Sequence, residues 1–329
     1  MKIFNMFALV FFALIFSSAA SAQGLYSISG KNVEMKDLSP AQQLQLFEIE
    51  YESYEKTKDL INGFILDNYL VEEAAKQKKS KDEVAKKVFE QKEPSEKEIK
   101  KWYEDNKSRI PPTYKFEQIK GEIGKMVQQE HLKEKRESIL NKLKKDKKFS
   151  LTVQKPVSPK LDVKVDGFQS KGKDTAKVTV VEFADYQCPH CKIAAENLKK
   201  AVDKKKSDVR FIYIDYPLNP SGVSKAIAEA SHCAAEQGKY WEFHYKAFAD
   251  QSTLTNESGD KIAADLKLDL TKFKDCMTNG RGKAVVEKGK AEGERIGVSG
   301  TPFLLINGER YLGAHTSEAF IAAIEAYIK

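Results

Sequence analysis

Residues 177–183 read "KVTVVEF", a β-branched apolar run suited to a central strand. A short loop, "ADYQ", leads from it into Cys188-Pro189-His190-Cys191, and a helical pattern then runs to about Lys204. A strand, a loop and a Cys-x-x-Cys opening a helix leave few folds open, and they place both cysteines in a distinctive electrostatic setting. Unpaired backbone N–H groups and the helix macrodipole at a helix N-terminus favour a thiolate. Cys188 is expected there with its sulfur exposed, and Cys191 one turn in and more buried. Pro189 fits the first turn, where its missing N–H is not needed. His190 adds a polar neighbour that, when cationic, favours the Cys188 thiolate. A stabilised thiolate stabilises the reduced form and makes the disulfide the better oxidant. From this stretch alone, the pair can be read as metal ligands, a structural staple or a redox couple.

The other cysteines narrow the choice. A structural zinc site usually brings two closely spaced ligand pairs. Cys233 and Cys276 stand far from each other in sequence and far from the first pair, so no metal and no cofactor is expected. In an oxidising compartment, four cysteines are most simply two pairs, and Cys233 with Cys276 are expected to form a structural disulfide. That compartment is indicated by the N-terminus. Lys2 precedes an apolar run, residues 6–16, that is too short to span a bilayer comfortably, and Ala20-Ser21-Ala22 offers small residues for cleavage before Gln23. Residues 1–22 are thus expected to be a signal peptide and the mature chain periplasmic.

The 329 residues are enough for two domains, and 41% hydrophobic with 31% charged residues is a globular composition. The net charge of +7 arises from lysines dispersed among acids, with no basic stretch of nucleic-acid-binding type, so no nucleic-acid partner is expected. Residues 23–150 read as a helical domain after a short extended piece, "LYSISGKNV", turning at Gly30. Ser39-Pro40 is an N-cap followed by proline, and Ser80 and Ser95 begin capping boxes. Leu60, Ile61, Phe64, Ile65, Leu66, Tyr69 and Leu70 recur at helical spacing. Pro111-Pro112 breaks the chain before a long helix whose apolar stripe includes Phe116, Ile119, Ile123, Met126 and Val127. A linker at 151–160, with two prolines, separates this region from an α/β domain at 161–329. There "VRFIYIDYP" supplies a second strand, "PFLLING" and "RYLGA" a hairpin turning at Asn307-Gly308, and residues 220–296 a helical insertion.

"VVEFADYQCPHCK", the insertion with "CAAEQGKYWEFHYKAF", and "GVSGTPFLLING" together resemble the DsbA-like branch of the thioredoxin superfamily. The resemblance implies an α/β thioredoxin fold with an inserted helical subdomain, and thiol–disulfide exchange on exported proteins. It implies that Cys188 is the nucleophile, Cys191 the resolving thiol and His190 the tuning residue. It also implies that Thr301 and Pro302 form a cis-proline loop that contacts substrate. Threonine before that proline is similar to the disulfide isomerases DsbC and DsbG rather than to the main oxidase. "LINGFILDNYLVEEAAKQKK", "PSEKEIKKWYEDNK" and "YKFEQIKGEIGKMVQQEHLKEKRESILNKLKK" resemble the helical N-terminal chaperone region of SurA-like and parvulin-type foldases. The partners this implies are unfolded or reduced exported proteins and a membrane redox partner that resets the active site. The N-terminal region is expected either to hold clients, which would make the protein mainly a chaperone, or to form a homodimer.

Some residues carry weaker expectations. Glu182 and Asp185 could assist proton transfer from Cys191 or be solvated carboxylates near the sheet edge. His232 and His244 are read as helix-surface or packing residues, and Tyr240, Trp241, Phe243 and Phe248 as packing of the insertion.

Overall fold

The computed structural model describes residues 25–28, 31–107, 110, 113–146 and 148–328. The signal-peptide expectation, the turn at Gly30 and the Pro111-Pro112 break all lie outside these residues. A short antiparallel pair, β1 (Tyr26–Ile28) and β2 (Lys31–Val33), precedes four helices: α1 (Pro40–Gln77), α2 (Lys81–Val88), α3 (Glu96–Asn106) and α4 (Phe116–Lys145). Three of these begin as the sequence indicates. Ser39, Ser80 and Ser95 each accept the N3 backbone N–H, and Gln42, Glu83 and Glu98 reach back to the cap.

The remaining elements build a five-stranded sheet. They are β3 (Gln169–Lys171), β4 (Val178–Ala184), α5 (Pro189–Lys204), β5 (Val209–Asp215), α6 (Val223–Ala235), α7 (Tyr240–Ala249), α8 (Ser258–Asp265), α9 (Leu270–Thr278), α10 (Arg281–Ile296), β6 (Phe303–Ile306), β7 (Glu309–Tyr311) and α11 (Ser317–Ile328). Strand order is β3-β5-β4-β6-β7. β4 and β5 are parallel, joined through α5, and every other pairing is antiparallel. The hairpin between β6 and β7 turns through Asn307 and Gly308, both at positive φ, as a two-residue turn requires. This is the thioredoxin arrangement, with α6 to α10 inserted between β5 and β6.

Both faces of the sheet are covered, and the two-residue period of the strands sorts their side chains between two cores. Val178, Val180, Phe211, Tyr213, Leu304 and Ile306 face the insertion, α5 and α11. Val181, Phe183, Ile212, Ile214, Phe303 and Leu305 face the opposite way, and there they meet Leu44 and Phe47 of α1. The start of the N-terminal helical region therefore contributes to the core of the α/β sheet. Gly297, at φ 90°, permits the approach, since a Cβ there would stand 2.8 Å from Ala41 Cα. Partly buried Arg310 ties β7 to α1: its guanidinium lies 3.4 Å from Glu48 Oε1 and stacks 3.9 Å above the Phe303 ring. The proline-containing segment before the sheet is also docked, because Ser158 Oγ accepts the Arg310 N–H and Lys160 bridges to Glu309.

Candidate active site

The carboxyl end of β4 delivers the chain to Asp185, whose carboxylate organises the loop. It accepts the backbone N–H groups of Gln187, Leu218 and Asn219 at 2.6–3.1 Å and the hydroxyl of Ser224. Asp185 is thus a buried loop anchor rather than a solvated carboxylate. Cys188 is the N-cap of α5. Its Sγ accepts the Cys191 N–H at 3.4 Å, and Pro189 occupies the first helical position. Both Cys188 and Cys191 are free thiols; Cys188 is half-buried and Cys191 fully buried.

Their environments drive the two thiols apart. The Cys188 pKa falls from 9.0 to about 6. The largest cause is the hydrogen bond from the Cys191 thiol, with further donors in the Thr301 side chain and the N–H groups of Cys191 and His190. Burial pushes the Cys191 thiol well above its ordinary value, and the neighbouring Cys188 charge adds to the rise. Below them, Glu182 is fully buried with both carboxylate oxygens unpartnered. Burial and then the Cys188 charge raise its pKa to about 8. It is therefore mostly protonated at neutral pH.

The Thr301-Pro302 peptide bond is cis and immediately precedes β6. It stands opposite the cysteines, with the Thr301 carbonyl oxygen 3.3 Å from Cys188 Sγ. Beside the motif, His190, Ile193 and His315 line a shallow depression of about 310 Å³. Within the insertion, Cys233 and Cys276 form a disulfide with Cα atoms 5.6 Å apart, which joins α6 to α9. His232 is buried and bonded to Asp215 at 2.8 Å. His244 is buried among Tyr186, Tyr213, Tyr240 and Phe248, and burial lowers its pKa to about 3. Both histidines are packing residues.

Gln251 was not marked by any pattern in the sequence. Its side-chain amide donates to the carbonyls of Tyr186 and Cys188, both at 2.9 Å, and so clamps the cysteine loop from the insertion. A lone glutamine beyond a helix carries no local signal of such a role. Arg310 was missed for the same reason.

Residues 167–326 match the family described as thioredoxin. Over 170 residues the chain is 34% identical to the Na(+)/H(+) antiporter NhaA 3 of Salinispora tropica, a match covering 51% of this chain and 25% of that protein. The chain therefore spans about a quarter of the length of that curated relative. Among the described residues no helix is long and apolar enough to cross a membrane. Over 146 residues the chain is 28% identical to disulfide bond formation protein D of Bacillus subtilis, covering 41% of this chain and 66% of that protein. Among solved structures it is similar to BdbD from Bacillus subtilis, with 24% identity, 52% of this chain and 98% of that one covered, and a TM-score of 0.47. A thioredoxin-like oxidoreductase from Silicibacter pomeroyi is 28% identical, with 49% and 92% covered and a TM-score of 0.45. Residues 167–326 of this chain thus match the thioredoxin family and carry its fold, with helices inserted between β5 and β6 and a mostly helical region before them.

Proposed function

We propose that the protein is an exported, periplasmic thiol–disulfide oxidoreductase that forms or isomerises disulfides in secreted client proteins through Cys188 and Cys191. The observation that carries this reading is the divergence of the two thiols: Cys188 is held near 6 at a helix N-terminus, and Cys191 is buried and held high. In the oxidation step, a client thiolate attacks Cys188 Sγ of the Cys188–Cys191 disulfide. The new bond joins client sulfur to Cys188, and Cys191 leaves with the electron pair and takes up a proton, for which the buried acid Glu182 is our candidate donor. A second client thiolate then attacks the client sulfur of the mixed disulfide and expels Cys188, a good leaving group because its thiolate is stabilised. The client has lost two electrons to the pair, and a membrane redox partner must remove them. His190 borders the sulfur, and Thr301 with Pro302 forms the surface against which an extended client would lie. The assignment is tested by turnover of a reduced cysteine-containing client. Cys188→Ser is expected to be inactive, and Cys191→Ser, offered a client disulfide that the Cys188 thiolate attacks with loss of one client thiolate, to accumulate mixed disulfides. Unchanged turnover in Cys188→Ser would sink it. Equilibration of the pair with glutathione separates an oxidase from an isomerase.

A second reading, a chaperone whose redox role is secondary, is favoured by a groove of about 780 Å³ between α3 and α4, lined by Trp102, Ile110, Tyr114, Ile119 and Met126. Its test is suppression of client aggregation with both Cys188 and Cys191 changed to Ser. A chaperone keeps that activity and loses it on Trp102→Ala with Met126→Ser. Removing the whole region is a poorer test, because Leu44 and Phe47 would leave the core under the sheet.

A further inference from the structure

Most of the apolar side chains of α1 are covered. Leu44 and Phe47 lie against the sheet domain, while Leu70 and Ala74 lie against Val84 of α2. Four are not: among the described residues nothing covers Ile49, Leu60, Phe64 or Val71, which are 58%, 59%, 58% and 51% exposed. They share one face. Ile49, Leu60 and Val71 are spaced at steps of eleven residues, close to three whole turns, so each sits almost directly above the last, and Phe64 lies one turn beyond Leu60. The stripe runs about 33 Å along the helix. Ser53, Lys56 and Asp67 stand between them on that face, so the stripe is apolar at intervals; four large apolar side chains left exposed on one face of one helix mark a contact surface.

We propose that this face pairs with the same face of a second copy of the chain, antiparallel, about a twofold axis at Leu60. The spacing selects this occupant. With Leu60 on the axis, Leu60 meets its own copy, and Ile49 and Val71, eleven positions to either side, meet each other at both ends. Phe64 meets the stem of Lys56, which stands four positions to the other side. The charges on the face are compatible with it, although within the chain Lys56 pairs with Glu52 and Asp67 with Lys81. Lys56 comes within one turn of Asp67 of the other copy, while the two Lys56 residues stay about 12 Å apart along the axis and the two Asp67 residues about 21 Å apart. Self-complementarity of this kind is what an isologous contact requires. Gly63, beside Leu60, adds a second sign. A glycine inside an exposed helix costs about 1 kcal/mol relative to alanine. A Cβ there would meet nothing within 4 Å, so nothing within the chain accounts for the glycine, whereas a helix crossing at Leu60 uses the space.

The arrangement is independent of the cysteine chemistry, and the two fail separately. Sedimentation of the purified protein is expected to give twice the chain mass across the micromolar range. Leu60→Glu with Phe64→Glu is expected to give the single-chain mass, with helical circular dichroism and peptide-thiol oxidation unchanged. A covalent test does not depend on how that variant folds. In a chain with Cys188 and Cys191 changed to Ser, Leu60→Cys should crosslink to its copy under mild oxidation. Phe64→Cys alone should not, whereas Lys56→Cys with Phe64→Cys should. A single-chain mass for the unchanged protein, a trimer, a dimer that survives Leu60→Glu with Phe64→Glu, or a monomer whose stripe binds unfolded client would each overturn the proposal.

Discussion

The carbonyl oxygen of Thr301 stands 3.3 Å from Cys188 Sγ, so the residue before the cis proline touches the sulfur at the N-terminus of α5. That carbonyl accepts a hydrogen bond and favours the thiol. The Cys191 thiol, the Thr301 side chain and the helix N–H groups donate and favour the thiolate, and the donors outweigh it. The protonation state of Cys188 is thus set jointly by a local feature, the helix start, and by a loop that is distant in sequence.

A pH dependence follows. In the reduced protein, Cys188 has a folded pKa near 6 against an ordinary value of 9.0. A depressed pKa contributes stability that is complete above about 9, shrinks as pH falls, and is gone below about 6. The oxidised protein has no such thiol. Glu182, raised to about 8, acts in the opposite sense as pH rises from 4.5, but it does so in both redox forms and largely cancels in their difference. The reduced form is therefore expected to gain stability relative to the oxidised form between about pH 6 and pH 9. Urea midpoints of both forms at acid, neutral and alkaline pH measure this; a flat difference contradicts it.

Glu182→Leu removes a fully buried carboxyl group whose oxygens have no partner. The variant is expected to be more stable by about 1–3 kcal/mol at alkaline pH, because the cost of holding the native group protonated accrues between 4.5 and about 8, and by less in acid. If Glu182 carries the Cys191 proton, formation of the mixed disulfide should slow in the same variant. Denaturant titration at two pH values reads the first effect and stopped-flow turnover the second. A loss of stability at alkaline pH would mean that a bound water satisfies the carboxylate.

Replacing Cys233 and Cys276 together by Ser opens a loop with a sequence separation of 43. On the chain-entropy estimate this costs on the order of 3–4 kcal/mol, less any native strain. Both positions are fully buried, so the added hydroxyls deepen the loss. Since the bond joins α6 to α9 and not the cysteine loop, turnover well below the melting transition is expected to survive. Thermal denaturation and peptide-thiol oxidation, run side by side, distinguish this staple from a second redox pair.

Arg310→Ala should cost about 2–3 kcal/mol, because the guanidinium donates to the carbonyls of Leu304 and Tyr311, stacks on Phe303 and pairs with Glu48. Arg310→Lys keeps the charge but loses the fork, so it should recover less than half of the loss. Urea denaturation measures both, and an unchanged Arg310→Ala midpoint would show that α1 is held on the sheet by Leu44 and Phe47 alone.

Features set by neighbours along the chain were legible in the sequence. Ser39, Ser80 and Ser95 cap helices because a cap bonds to groups three residues away. Asn307-Gly308 makes its turn because both residues accept positive φ. The β-branched apolar runs of β4 and β5 announce central strands, and Cys-Pro-His-Cys announces a helix start that holds a sulfur. Tertiary structure decided what depends on groups brought together from afar. Leu60 and Leu70 belong to one helical pattern, yet one is exposed and the other buried, because only the packing of α2 decides which face of α1 is covered. Leu44 and Phe47 read as part of an N-terminal helix but complete the core beneath the sheet. Glu182 and Asp185 are carboxylates three positions apart. Asp185 is bonded to four donors because the loop after β5 and the start of α6 come to meet it, and Glu182 has no partner because no donor reaches its buried carboxyl group. A side chain's identity fixes which bonds it can make; burial and the approach of distant backbone fix which of them it does make, and with them its charge.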